Sequence, residues 1–447
     1  MKSYWYTDNK GYLRFDDSYV GPIDLPKSLT DCSYMFKNCR IQAGCTLGVF
    51  DTSKVTRMSG MFENAVLPNG FTLGEYFDTS NVTRMDSMFK DCSLCPDFTL
   101  GEHFDTSNVT DMSKMFFGAN IPPNFDLGDN FDTSNVQYMT EMFAGVALPT
   151  NFSLGKKFDT LNVTSMAGMF EGCQMCGGFA LGKKFCTLSV TDMHNMFANC
   201  STCGGFNLGD KFNTANVTTM ASMFHNCRMP ERFSLGKEFN TSKVVNMTSM
   251  FSNCRLPERF TLGEHFDTSS VTCMQMMFHN TIMNSDFSLG DAFNTVNVKI
   301  FNSMFKNCKF PEKFTLGKHF DTSNAEYMIE MFASCELPDD FTLGNKFDTS
   351  KVVNASSMFA NCRFCANFAL GGLFTTDAPF EGVDTMFRGT SIERGFRLGK
   401  KFYVDKELLT NPGAPFAAAK CPPDFFCVRD AGDTRNGRIR VSTCYDS

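Results

Sequence analysis

No apolar run in this chain approaches 18 residues, so no transmembrane span is expected. A basic excess is missing too. Lys and Arg number 41 against 48 Asp and Glu, a net charge of -7, and nothing draws the chain to nucleic acid. The opening MKSYWYTDNKGYLRF lacks the apolar stretch of a signal peptide, so the sequence as written carries no export signal. Histidine is scarce at six copies. His103, His265 and His319 share a repeat position but stand far apart along the chain, and none is paired with a nucleophile in a known motif. Phosphate-cradling Gly-rich loops are absent, and 14 of the 34 Gly simply follow a Leu at one fixed repeat position. No enzyme and no cofactor are therefore expected. The 45 residues from 403 to 447 are too few for an independent active-site fold.

Tryptophan occurs once, whereas Phe is used 50 times and Met 29 times. That bias follows from a repeat. FDTSNVTRMDSMF begins at Phe77, FDTSNVTDMSKMF at Phe104 and FNTSKVVNMTSMF at Phe239, and the opening Phe recurs every 27 residues from Phe50 to Phe374. A fixed period of this size marks stacked repeats, here about fourteen coils over residues 28–402. Residues 1–27 read as an N-terminal cap, with YWYTDNKGYLRF forming a hairpin and Trp5 covering the first coil. Residues 403–447 read as a C-terminal cap with a second hairpin at Asn436-Gly437.

Residues 68–92 supply one coil. Phe71, Thr72 and Leu73 alternate apolar and polar, the pattern of a short strand. Val82, Met85, Met88 and Phe89 fall on one face of a helix or tight helical turn, preceded by Asp78, Thr79 and Ser80 as capping residues. One coil cannot bury this apolar edge, so neighbours must. The expected fold is an α/β solenoid, a right-handed leucine-rich-repeat array of short strands and convex helical turns.

The motif F-[DN]-T-S-x-V-T-x-M-x-x-M-F-x-x-C resembles the BspA-like leucine-rich repeats over about residues 28 to 402. The resemblance implies a non-catalytic cell-surface or secreted protein engaged in adhesion and host interaction. Two features depart from that family: the lead P-x-x-F-x-L-G-x-x-F, and the missing export signal, which together with many Cys expected to stay reduced suits a cytoplasmic location.

Each repeat position offers a site reading beside a structural one. The Asp column from Asp51 to Asp159 could hold calcium, but Asn replaces it at 213, 240 and 294, which suits capping. Cys173, Cys176, Cys200 and Cys203 have the look of a zinc ribbon, yet the period alone sets their spacing, and core packing is the simpler reading. Disulfides within the CxxC turns, or among Cys421, Cys427 and Cys444, are the alternative for an exported chain. Asn81, Asn108, Asn162 and Asn216 match a glycosylation acceptor but recur too closely for glycans, so turn chemistry is expected. Thr72, Thr99 and their equivalents form a hydroxyl row broken by Asp126, Ala180 and Asn207, which argues against an ice-binding face.

The pair after each Leu-Gly varies most. Tyr76, His103, Lys156, Lys157, Lys183, Lys184, Lys211, Glu238 and His265 are the candidate partner-binding residues, with the lysines forming a basic patch for an anionic partner. The leading reading is a protein-binding or adhesive scaffold, with a host or cell-surface partner implied by the resemblance. Two alternatives are a self-associating filament protein and a zinc or thiol storage or redox protein.

Overall fold

The computed structural model describes residues 4–27, 29–175, 178–202, 206–377, 380–405, 414–425, 427–436 and 438–446. The chain divides into two compact units, Met1–Val217 and Thr218–Ser447. In each, successive 27-residue coils are joined by parallel bridges. One series in the first unit runs Asp31, Arg57, Arg84, Asp111, Tyr138, Ser165 and Asp192; its counterpart in the second runs from Thr219 through Asn246 and Cys273 to Glu381.

The Met-Phe segment is not helical, and its hydrogen bonds show why. Met85, Ser87, Phe89 and Asp91 donate their N–H groups to Asp111, Ser113, Met115 and Phe117 of the next coil, at 2.6–3.1 Å. The intervening Met88, Lys90 and Cys92 donate to carbonyls three residues earlier in their own coil, at 3.1–3.2 Å. An α-helix keeps every such bond within one segment. Here alternate bonds leave it. Ser87 and Asp91 also have φ of 60° and 52°, a left-handed conformation that breaks a right-handed helix.

Among the described residues there is no α-helix, and the helical segment present is a 3-10 turn at Ala414–Phe416. The expected α/β leucine-rich-repeat solenoid is therefore corrected: neither its convex helical turns nor its regular strands form. The triplet 71–73 keeps the alternation, with Phe71 and Leu73 buried and Thr72 exposed, but it is not a strand. Among the described residues its equivalents pair at Thr46–Leu47, which meets Pro22–Ile23, and at the single bridges Ser153–Ala180 and Ala369–Arg397.

Strands are short and local. At the N-terminus β1 (Trp5–Thr7) pairs antiparallel with β2 (Leu13–Phe15), placing Trp5 opposite Phe15. Trp5 is buried, with its ring 5.9 Å from Phe36 of the first coil, and Phe15 N–H donates to Met35 at 2.9 Å. Two-residue strands β3 (Pro22–Ile23) and β4 (Thr46–Leu47) pair in parallel. So do β5 (Ala147–Leu148), β6 (Gln174–Met175) and β7 (Ser201–Thr202), one from each of three successive coils. In the second unit β8 (Tyr403–Asp405) and β9 (Cys427–Arg435) flank β10 (Arg438–Thr443), all antiparallel.

The core explains the composition. Phe62, Phe89, Phe116, Phe143, Phe170 and Phe197 form a stacked file with ring centroids 5.5–5.8 Å apart. A second file, Phe77 to Phe212, repeats at 6.4–6.5 Å. Such offset stacks add about 0.5–1.5 kcal/mol per pair to the burial of each ring. Met85, Met88 and Val82, like their equivalents, have no exposed surface. Flexible thioethers fill the gaps between rigid rings.

Candidate functional site

The ridge before each opening Phe carries the variable side chains. Its geometry rests on the main chain. The carbonyls of Tyr76, His103, Lys157, Lys184 and Lys211 accept the N–H of Thr52, Thr79, Thr133, Thr160 and Thr187 in the preceding coil, at 3.2–3.4 Å. His265 and His319 do the same for Thr241 and Thr295, at 3.2 and 3.3 Å. The bond uses only the backbone, so any side chain can stand there and point outward. Tyr76, His103, Lys156, Lys157, Lys183, Lys184, Lys211, Glu238 and His265 are all exposed.

The structure brings some of these together. Lys157, Lys184 and Lys211 stand in register on three successive coils, with Lys156 and Lys183 beside them. The nearest carboxylate pairing is loose: Lys184 Nζ lies 3.8 Å from Asp159. Leu161 and Leu188, at 49% and 45% exposed, follow four residues after Lys157 and Lys184 and add an apolar margin. Tyr76 and His103 lie on earlier coils, separated from Lys157 by the Asn130 coil. Glu238 and His265 belong to the second unit.

In that second unit the same ridge position reads His265, Ala292 and His319. The short Ala292 between two long side chains opens a cleft of about 420 Å³, lined also by Glu264, Asp267 and Asp291.

The repeated polar residues are consumed by the frame. Asp78 Oδ1 accepts the Ser80 N–H at 2.8 Å, and Asn213 and Asn240 cap in the same way at 2.9 Å, so charge is not needed there. Asn81 donates its side-chain amide to the Ser53 carbonyl of the preceding coil at 2.8 Å, and Asn108 and Asn162 repeat the bond at 2.7 Å. The Thr of F-D-T-S, read from sequence as a cap, is instead a buried rung. Thr133 Oγ1 donates to the Asp159 carbonyl at 2.7 Å and accepts the Asp159 N–H at 2.8 Å, with no surface exposed. The signal for it was the strict Thr at a position where a cap would also admit Ser, Asp or Asn.

The cysteine column is internal. Cys173, Cys200, Cys254, Cys308, Cys335 and Cys362 donate their thiols, at 2.7–2.9 Å, to the carbonyl of a Phe in the preceding coil. Thr281, standing in the same column, does so with its hydroxyl at 2.7 Å. A hydroxyl thus serves as well as a thiol, and since Ala65, Ala119 and Val146 stand buried in the same column without a donor, the position asks for a small side chain rather than for sulfur as such. Burial pushes the thiols of Cys173, Cys254 and Cys335 up to about 12, which keeps them protonated and unlike metal-binding thiolates. Of the zinc candidates, Cys176 and Cys203 lie outside the described residues. Among the described residues no three His, Cys, Asp or Glu are grouped to hold a metal ion, and Cys92, Cys95, Cys362, Cys365, Cys421, Cys427 and Cys444 are free. No helix among them is long and apolar enough to cross a membrane.

A family model described as "Mycoplasma protein of unknown function, DUF285" matches five overlapping stretches, residues 30–147, 99–201, 173–261, 234–339 and 290–389. No curated protein and no solved structure matches. The tandem matches identify a repeat family without supporting the BspA-like leucine-rich-repeat assignment, which the absence of helices among the described residues also contradicts. Taken together the five stretches run without a gap from residue 30 to residue 389, and the chain belongs to this DUF285 repeat family.

Proposed function

We propose that the chain is a non-catalytic binding scaffold whose first unit engages an acidic protein through the lysine ridge. One observation carries this reading: the ridge carbonyls of Lys157, Lys184 and Lys211 are bonded in register while their side chains are left outward and clustered. Stacked repeats of this kind bind through variable positions on a constant frame. Five lysines on adjacent coils make a local positive field in a chain of net charge -7, and such a field speeds and selects encounter with carboxylate-bearing surfaces. Leu161 and Leu188 supply the apolar contact that charge alone lacks.

The test uses a poly-glutamate chain as the acidic partner, with binding measured by fluorescence anisotropy against salt. Saturable, salt-sensitive binding is expected for the full chain. Lys156→Glu, Lys157→Glu, Lys183→Glu and Lys184→Glu together should weaken it about tenfold or more, an amount near 1.4 kcal/mol. Undiminished binding by that quadruple variant overturns the reading.

A further inference from the structure

We propose that the cleft beneath the N-terminal hairpin is a binding site for a small, multiply charged phosphate compound. It lies in the first unit on residues apart from the lysine ridge, and so goes beyond the function proposed above. The hairpin, seated on the first coil by Trp5 and Phe15, roofs a cleft of about 600 Å³. That volume is within the usual range for small-molecule sites, about 300–1,000 Å³.

Cations reach the cleft from widely separated parts of the sequence. Lys10 comes from the hairpin turn, Arg14 from β2, and Lys37, Lys90 and Lys114 from the first, third and fourth coils. Two carboxylates, Asp8 and Glu63, also line it, and both are already engaged. Asp8 accepts the N–H groups of Lys10 and Tyr12 at 2.9 and 3.0 Å and pairs with Arg14 at 3.4 Å. Glu63 is shared by Lys37 at 2.6 Å and Lys90 at 3.3 Å. Lys114 pairs with Glu141 at 3.4 Å, and Lys90 lies 3.8 Å from Asp91. Lys10 has no ion pair among the described residues. The five lining cations outnumber the two lining carboxylates, and with Asp91 and Glu141 counted beside them one positive charge is left over in a chain of net charge -7.

Arg14 adds a second observation. Its guanidinium is held by Asp8 and by the Lys37 carbonyl, and its buried Nε has no acceptor among the described residues. The Tyr12 and Tyr34 rings, edge to face at 4.8 Å, form one wall, and the Lys37 ammonium stands 5.1 Å from the Tyr34 ring centre. Ammonium groups act as point charges that suit the many oxygens of a phosphate chain, while the anchored guanidinium adds a positive charge fixed in place. A single carboxylate would leave most of these donors unused.

The probe is inorganic tripolyphosphate, titrated calorimetrically into the full-length chain. One saturable site is expected, weakened about tenfold or more when Lys10→Gln, Lys90→Gln and Lys114→Gln are combined. A control that removes the same charge from the ridge, Lys156→Gln with Lys183→Gln and Lys184→Gln, should leave the affinity unchanged. Lys10→Gln alone, in an exposed turn with no ion pair to lose, should weaken binding without disturbing the fold seen by circular dichroism. Absence of saturable binding, equal loss in the ridge control, or unchanged affinity in Lys10→Gln each overturns the assignment.

Discussion

At one repeat position the first unit carries Lys157, Lys184 and Lys211, whereas the second carries His265, Ala292 and His319. At both, the backbone carbonyls accept from a Thr N–H of the preceding coil, as with Lys157 and His265 at 3.2 Å. The lesson is that the frame is indifferent to the side chain there. The inward columns behave oppositely: Phe, Met and Thr stand almost unchanged in both units, because each must fit against its own copy one coil away.

The largest effect should come from breaking an inward file. Phe116, fully buried between Phe89 and Phe143 at 5.6 Å from each, should cost about 3–5 kcal/mol as Phe116→Ala in urea denaturation. Lys184→Ala on the ridge should stay within about 0.5 kcal/mol. Similar losses at the two sites would erase the distinction.

Alkaline pH should sharpen the contrast next, since several buried thiols act together. An ordinary thiol ionises near 9, whereas the folded Cys173, Cys254 and Cys335 are raised to about 12 by burial. Below pH 9 both folded and unfolded states are protonated and the stabilisation is complete. Between 9 and 12 only the unfolded state ionises, so stability falls as pH rises. Cys254→Thr, which keeps the hydrogen-bond donor as Thr281 does, should reduce the slope of stability against pH, measured by urea midpoints at pH 8 and above.

Thr133→Val removes a buried hydroxyl that both donates and accepts, and should cost about 1–3 kcal/mol. Thr72→Val, on the exposed row, should change stability by less than about 0.5 kcal/mol. The smallest effect is expected from Ala292→Lys, which would fill the second unit's cleft and make its ridge resemble the first. Thermal denaturation should move little, within about 0.5 kcal/mol. A large loss would show that the ridge constrains its side chains after all.

Much of this is legible in the sequence. The 27-residue period exposed the stack, and Phe71, Leu73, Phe77, Val82, Met85, Met88 and Phe89 are all buried as their spacing required. The helix reading failed because burial at i, i+3 and i+7 also fits a run of tight turns that bond outward on alternate residues. A usable signal was present one residue before the cysteine column. Asn38, Asp91, Gly118, Gly145, Asn199 and Asn253 stand there, all with positive φ, and these are the residue types that tolerate it. Read as left-handed positions, they would have excluded a helix. The ridge residues stood out in the sequence because they vary, while the buried Thr rung was missed because its type also suits a cap.

The sequence by itself determined the repeat, its period and which side chains face inward, since a repeated apolar edge can be buried only by its neighbours. Tertiary structure alone decided that the bonds of the Met-Phe segment run between coils, that cysteine thiols complete Phe carbonyls, and that Lys10, Arg14, Lys37, Lys90 and Lys114 meet around one cleft. Those outcomes depend on which atoms of distant residues come within hydrogen-bonding or Coulombic reach, and no local pattern encodes that distance.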